Sequence, residues 1–338
     1  MGNVFTSTKA TAPLLQPAIA GEIDQIKALV GQHIASTSLK SKEALASYVN
    51  QTDKDGNTAI IGAAFSGHLE IVKFLLEDCH ADIDLKNNIG CSALWIAAGY
   101  GHVHILEYLI QRVMNGEESS LDLVKVFSEG NSSGDTPLLA AVSKGHVKVV
   151  EIILSSMQDD AWAILTCTNK TGDTPLSVAV GAGYEGPLLN LLIDCEEKFG
   201  NDKEESRPLH SKNAMGLTPL LVASERNFTN VAKELISRGA DISMTDEKGR
   251  TPLAIASFCG CMDVMEYLLS NDDVKKLLDA RDASGCTPLW LAARTGNLKM
   301  VRCLVDAGAD ASLENNDGLS PEAAAVKYQK KAVIDFFQ

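Results

Sequence analysis

Eight cysteines and seven histidines are the groups in this chain best suited to nucleophilic, acid–base or metal chemistry. Their spacing argues against all three. The cysteines stand at 79, 91, 167, 195, 259, 261, 286 and 303, with no C-x-x-C pair among them, so neither a zinc ribbon nor a thioredoxin-type dithiol is indicated. Cys259 and Cys261, flanking Gly260, come nearest to a redox pair. His102 and His104 are two residues apart, which sends them to different faces of a helix and makes poor metal geometry. His68, His102 and His146 each follow a glycine directly, a shared position that predicts a structural task at a helix start. No phosphate-cradling glycine loop, Gly-x-Ser-x-Gly elbow or kinase signature is present. The expectation is a protein that is not an enzyme and has neither cofactor nor metal site.

The balance of charge narrows the partners. A formal net charge of −14 and a pI of about 4.9 repel phosphate backbones, and no compensating basic stripe is present, so nucleic acid is not an expected ligand. Cys91 and Cys286 occupy the same variable position of two similar segments, which argues against a dedicated disulfide and for a reducing, cytoplasmic setting. No stretch approaches the length of a membrane span, and the N-terminus has no secretory apolar region.

The elements that must position any site are set by a repeat. Thr-Pro-Leu occurs at 136–138, 174–176, 218–220, 251–253 and 287–289, each time two residues after a glycine, with looser copies at 58–60, 92–94 and 320–322. The preceding glycines, 56, 90, 134, 172, 216, 249, 285 and 318, are separated by 34, 44, 38, 44, 33, 36 and 33 residues. A period of this size marks a solenoid. In the copy from Asp282 to Ala311, Asp282-Ala283-Ser284-Gly285 forms a turn, Thr287 caps a helix and Pro288 sits at its first turn, where no hydrogen bond is lost. Gly296 ends that helix, and Asn297 opens a second in which Leu298, Val301, Leu304 and Val305 recur at helical spacing. Neither helix is stable alone, so each must bury its apolar face on the next copy.

Turn glycine, Thr-Pro-Leu, Ala-Ala, Gly-His, a Val/Leu-rich helix and Gly-Ala-Asp (at 239–241 and 308–310) together resemble the ankyrin repeat. The resemblance implies an all-α repeat solenoid of helix–turn–helix–hairpin units, about nine including degenerate ends. The array is expected over 14–338, behind a flexible tail at 1–13. One departure is consistent: the family often has His directly after Thr-Pro-Leu, whereas here the position holds Ile61, Trp95, Leu139, Ser177, Leu221, Ala254, Trp290 and Ala323. This predicts inter-repeat staples more apolar than in the family pattern. Insertions are expected near 112–131, 155–168 and 196–212; Trp162, Ile164 and Leu165 suit the second for packing, and the charged third reads as a mobile loop.

The resemblance also implies partner binding on a concave groove, by hairpin tips and the exposed end of each first helix. Carried onto this chain by phase, those positions include Phe65, Ile89, Tyr100, Met215, Leu217, Glu225, Arg226, Arg250, Phe258 and Arg294. The expected function is a monomeric, non-catalytic protein-interaction scaffold or adaptor, or else a regulatory subunit that occludes a partner enzyme. Met1-Gly2-Asn3-Val4-Phe5-Thr6 fits the N-myristoylation pattern at Gly2. One acyl chain without a second signal supports only transient membrane association.

Overall fold

The computed structural model describes residues 12–36, 42–116, 122–200 and 207–338. They form an all-α repeat solenoid whose contacts fall into two compact halves, one ending at Lys170 and the other beginning at Thr171. Gly2 and nearly all of the expected tail lie outside the described residues, as do 117–121 and 201–206 within two of the expected insertions.

In the first half the inner helices are α1 (Leu15–Ala20), α4 (Ala59–Ser66), α6 (Ala93–Tyr100) and α9 (Pro137–Ser143), which stack in that order. Their outer partners are α2 (Ile23–Ser36), α5 (Leu69–Glu77), α7 (Val103–Met114) and α10 (Val147–Met157). In the second half the inner helices α12 (Pro175–Gly181), α14 (Pro219–Glu225), α16 (Pro252–Cys259), α19 (Pro288–Thr295) and α21 (Pro321–Lys327) also stack in sequence. They pair with α13 (Pro187–Phe199), α15 (Thr229–Ser237), α17 (Met262–Leu269), α20 (Leu298–Asp306) and α22 (Lys331–Phe337).

Inner helices are buried almost all round: in α4 every residue from Ala59 to Ala64 is buried. Small side chains such as Ala97, Ala98, Ala140 and Ala141 let neighbouring inner helices approach closely. Outer helices are amphipathic, as α5 shows by burying Ile71, Val72, Leu75 and Leu76. Each Thr-Pro-Leu copy does the capping its residues foretell. The hydroxyls of Thr58, Ser92, Thr136, Thr174, Thr218, Thr251, Thr287 and Ser320 all accept a backbone N–H three residues on.

The second insertion packs through its apolar residues, and the other two hold more structure than their composition suggests. In the second, α11 (Ala161–Leu165) buries Ala161, Ile164 and Leu165; in the first, α8 (Leu123–Ser128) buries Phe127. The third is not a loose charged loop where it is described. Glu196 is only 1% exposed, takes a hydrogen bond from Arg207 Nε at 2.9 Å and another from the Leu209 N–H at 3.2 Å. Pro208 and Leu209 are buried in a short 3-10 turn. Burial pushes the Glu196 carboxyl above its ordinary value, against the lowering pull of Leu209 and Arg207. Two further helices were not expected: α3 (Lys42–Val49), which buries Val49, and α18 (Asp272–Lys275), which buries Val274.

Candidate functional site

The hairpins that carry the tips are built by one residue each. The side-chain oxygen of Asp53 accepts the N–H groups of Asp55 and Asn57. Asn87, Asn131, Asn213, Asp246, Asp282 and Asn315 repeat the pattern with the residues two and four further on. This is an Asx turn, the alternative to a ladder that these short polar side chains offer the backbone. Adjacent tips are then joined by main-chain bonds. In the first half Asn88 N–H donates to Asp55 O, Ser132 to Ile89 O and Lys170 to Ser133 O, at 2.8–3.0 Å. In the second, Ala214 donates to Thr171 O, Ala283 to Lys248 O and Asn316 to Ser284 O over the same range.

The turn network therefore survives without the family's histidine. Side chains add further ties: Asn87 Nδ2–H donates to Asn57 Oδ1 and Asn213 Nδ2–H to Asp173 Oδ1, each at 3.0 Å. Two of the substituted positions also supply polar ones: Trp95 Nε1–H donates to Asp135 O at 2.7 Å, and Trp290 Nε1–H to Leu319 O at 3.0 Å. Each acceptor is the residue just before the next capping Thr or Ser, so the indoles work as longer-armed substitutes.

The histidines after the helix-ending glycines are structural. His68 Nε2 lies 3.1 Å from Ile19 O, and His102 Nε2 lies 2.8 Å from Phe65 O, tying each outer helix to the inner helix of the repeat before it. Gly101, at φ +78°, sits under the His146 ring, where a Cβ would lie 2.8 Å from its atoms. His104 pairs instead with Glu107 at 3.7 Å. All eight thiols are free. Burial pushes Cys79 and Cys91 up to about 12, and Cys261 and Cys286 up to about 11. Cys261 Sγ–H donates to Glu225 O at 3.3 Å. Among the described residues no group of three or more His, Cys, Asp or Glu is placed to hold a metal.

Phe65, Ile89 and Tyr100 come together in the first half. Phe65 and Tyr100, from the ends of α4 and α6, meet edge to face at 4.6 Å between ring centroids. With Ile89, 46% exposed at its hairpin tip, they line a groove of about 730 Å³ that continues over Trp95, Gly99 and Ala140 to Lys144. Gly99 opens its floor, since a Cβ there would lie 3.2 Å from the Trp95 ring and 3.3 Å from Ala140. Trp95 and Gly99 were not foreseen as part of a site, although Trp95 stands in the anomalous position after the cap.

In the second half the predicted residues divide. Met215 is exposed at its tip, but Leu217 is buried at 6% exposure: it is the residue before Thr218, and its amide is drawn into the Asx turn by Asn213 Oδ1 at 3.0 Å. Leu217 is therefore core rather than surface. Glu225 is exposed, and Arg226 Nη1–H donates to Gly181 O at 2.7 Å. Arg250, Phe258 and Arg294 form one cluster. The Arg250 guanidinium binds Asp246 at 2.6 Å and lies 5.4 Å from the Phe258 centroid. Burial pushes the Asp246 carboxyl up, but the hydrogen bonds and charge of Arg250 outweigh it and hold the group below its ordinary value. Arg294 lies 5.9 Å from Phe258, 5.9 Å from Trp290 and 5.1 Å from Tyr328.

A family model described as Ankyrin repeats (3 copies) matches residues 11–119, 61–163, 112–203, 184–277 and 270–337. The chain is 28% identical over 154 residues to the tyrosine-protein kinase HTK16 of Hydra vulgaris, covering 44% of this chain and 20% of that protein. It is 26% identical over 303 residues to human transient receptor potential cation channel subfamily A member 1, covering 83% of this chain and 27% of the channel. The chain thus spans less than a third of the length of either relative. Among solved structures it is similar to the crystal structure of the ankyrin repeat domain of Bcl-3, titled a unique member of the IkappaB protein family. That match has a TM-score of 0.59 and 27% identity, over 73% of this chain and 98% of that one. Among the described residues no helix is long and apolar enough to cross a membrane.

Proposed function

The chain belongs to the ankyrin-repeat family, and on that premise we propose that it is a non-catalytic scaffold or adaptor that grips a protein partner by hairpin tips and inner-helix ends. The observation that carries this reading is the groove of the first half. Phe65, Ile89, Tyr100 and Trp95 present apolar surface there, and the rigid turn ladder holds the tips in place. Apolar patches rimmed by polar groups mark interaction sites, and large aromatic side chains in such patches carry most of the binding energy. A volume of about 730 Å³ takes several side chains of an extended segment. The free thiols support a reducing, cytoplasmic setting.

The test is capture of partners by in-cell cross-linking and mass spectrometry, comparing the native chain with Phe65→Ala/Tyr100→Ala. The double variant is expected to lose the native partners while its helical circular dichroism is unchanged. Recovery of the same partners in the same amounts would remove the groove from the binding surface. A single stoichiometric enzyme among the partners would favour an occluding, inhibitory role over an adaptor. Intact mass of the N-terminal peptide tests acylation of Gly2.

A further inference from the structure

We propose that the Arg294 cluster binds a carboxylate side chain of an acidic peptide segment. This rests on reading the inner-helix ends as a partner surface, and it names the chemistry of one part of that surface. Arg294, in the last turn of α19, has three rings close by: Phe258 on α16, Trp290 on its own helix and Tyr328 just after α21. Trp290 and Tyr328 are themselves perpendicular, at 85° and 6.4 Å, so the group is braced from two neighbouring helices.

Ring contacts of this kind draw on the charge of a guanidinium rather than on conventional acceptors for its N–H donors, and those donors match a carboxylate in bidentate fashion. The neighbouring arginine shows the contrast. Arg250 has Asp246 at 2.6 Å, whereas among the described residues no hydrogen-bond acceptor or carboxylate engages Arg294. Its side chain is nonetheless exposed and preorganised. Holding an arginine in place before binding removes much of the entropic cost that weakens surface ion pairs.

The surroundings select the source of the carboxylate. Phe258 and Tyr328 are each 38% exposed, an apolar rim that suits side chains flanking an acidic residue. A net charge of −14 repels polyanions, nucleic acid most of all, so one carboxylate set among apolar side chains suits the site better than a long acidic run. A cationic ligand is disfavoured as well, because Arg294 already covers the rings that would receive it.

A random short-peptide display library, selected on the full chain, tests this directly. Peptides retained by the native protein are expected to be enriched in Asp or Glu beside an apolar residue. Arg294→Gln is expected to lose that enrichment and to weaken the selected peptides about tenfold or more, the scale of a charge-assisted hydrogen bond. Arg294→Lys, which keeps the charge without the planar fork, should recover only part of the affinity. Phe65→Ala/Tyr100→Ala should leave the acidic peptides bound, so failure of the groove reading and failure of this one are distinguishable. The proposal is overturned if acidic residues are not enriched on the native chain, or if Arg294→Gln, with an unchanged thermal melt, retains the same peptides.

Discussion

Removal of Arg207 should destabilise the protein by an amount set by pH. Glu196 is 1% exposed, and its partners are Arg207 Nε and the Leu209 N–H; among the described residues its second oxygen and Arg207 Nη2 have no hydrogen-bond partner. In Arg207→Ala the carboxylate would stay buried with one backbone donor, a situation that costs about 3–5 kcal/mol. The chain has an escape, which is to protonate the group. From an ordinary glutamate value of about 4.3, protonation costs about 1.4 kcal/mol per pH unit, which caps the penalty near 3.7 kcal/mol at pH 7 and near 1 kcal/mol at pH 5. Urea unfolding followed by circular dichroism at the two pH values measures both. The native chain should show the same sign more weakly. Burial raises the folded carboxyl, so its contribution is fully present below the ordinary carboxylate range and is lost as pH rises above it. Glu196→Gln should flatten that dependence. An Arg207→Ala penalty that is equal at pH 5 and pH 7 would refute the argument, because a carboxyl that did not feel its burial would have no reason to titrate.

Three further outcomes follow from the repeat geometry. Thr136→Ala removes an oxygen that accepts the Leu139 N–H at 3.3 Å from a buried position, and should cost about 1 kcal/mol in the same unfolding assay. Gly101→Ala forces a side chain into the left-handed region at φ +78° and against the His146 ring; the conformation alone costs roughly 1–2 kcal/mol, so a fall smaller than this in chemical denaturation would contradict the described turn. Thiol labelling of the native protein followed by peptide mapping should mark exposed Cys259 first, while Cys79 and Cys91, buried and with thiols pushed up to about 12, label only in denaturant.

The spacing of Gly and Thr-Pro-Leu made the inner helices, their caps and their order legible, because capping and turn chemistry are local and repeat at every copy. What escaped the sequence depends on neighbours. Leu217 shares the phase of tip residues such as Arg250, yet the uncharged residue just before a capping Thr is drawn inward in several copies, as buried Asn57 and Cys286 also show. Glu196 stands in a highly charged run, and only the return of the chain at Arg207 and Leu209 makes it a core residue. The four-residue α18 has too few apolar positions to show a period, although Val274 is buried. The missing histidines were visible; that two of the replacements would restore a hydrogen bond depended on the reach of an indole to the next turn.

The same geometry explains why recognition collects at the ends of the inner helices. The seventh residue after each capping Thr or Ser is Phe65, Gly99, Ser143, Gly181, Glu225, Phe258, Arg294 or Lys327. The residue two earlier, by contrast, is Ala in every copy, from Ala63 and Ala97 to Ala292 and Ala325, because neighbouring inner helices pack through it. At the seventh residue the helix is ending, and none of the eight but Gly99 is buried. Packing places little demand on that position, so its chemistry is free to differ from one repeat to the next. An aromatic pair forms in the first half, where Phe65 faces Tyr100 across one repeat interface. A ring–guanidinium stack forms in the second, where Phe258 and Arg294 hold the same position in consecutive repeats. Stacking identical backbones therefore brings different side chains side by side, and a site in this protein is a property of two adjacent repeats rather than of either one.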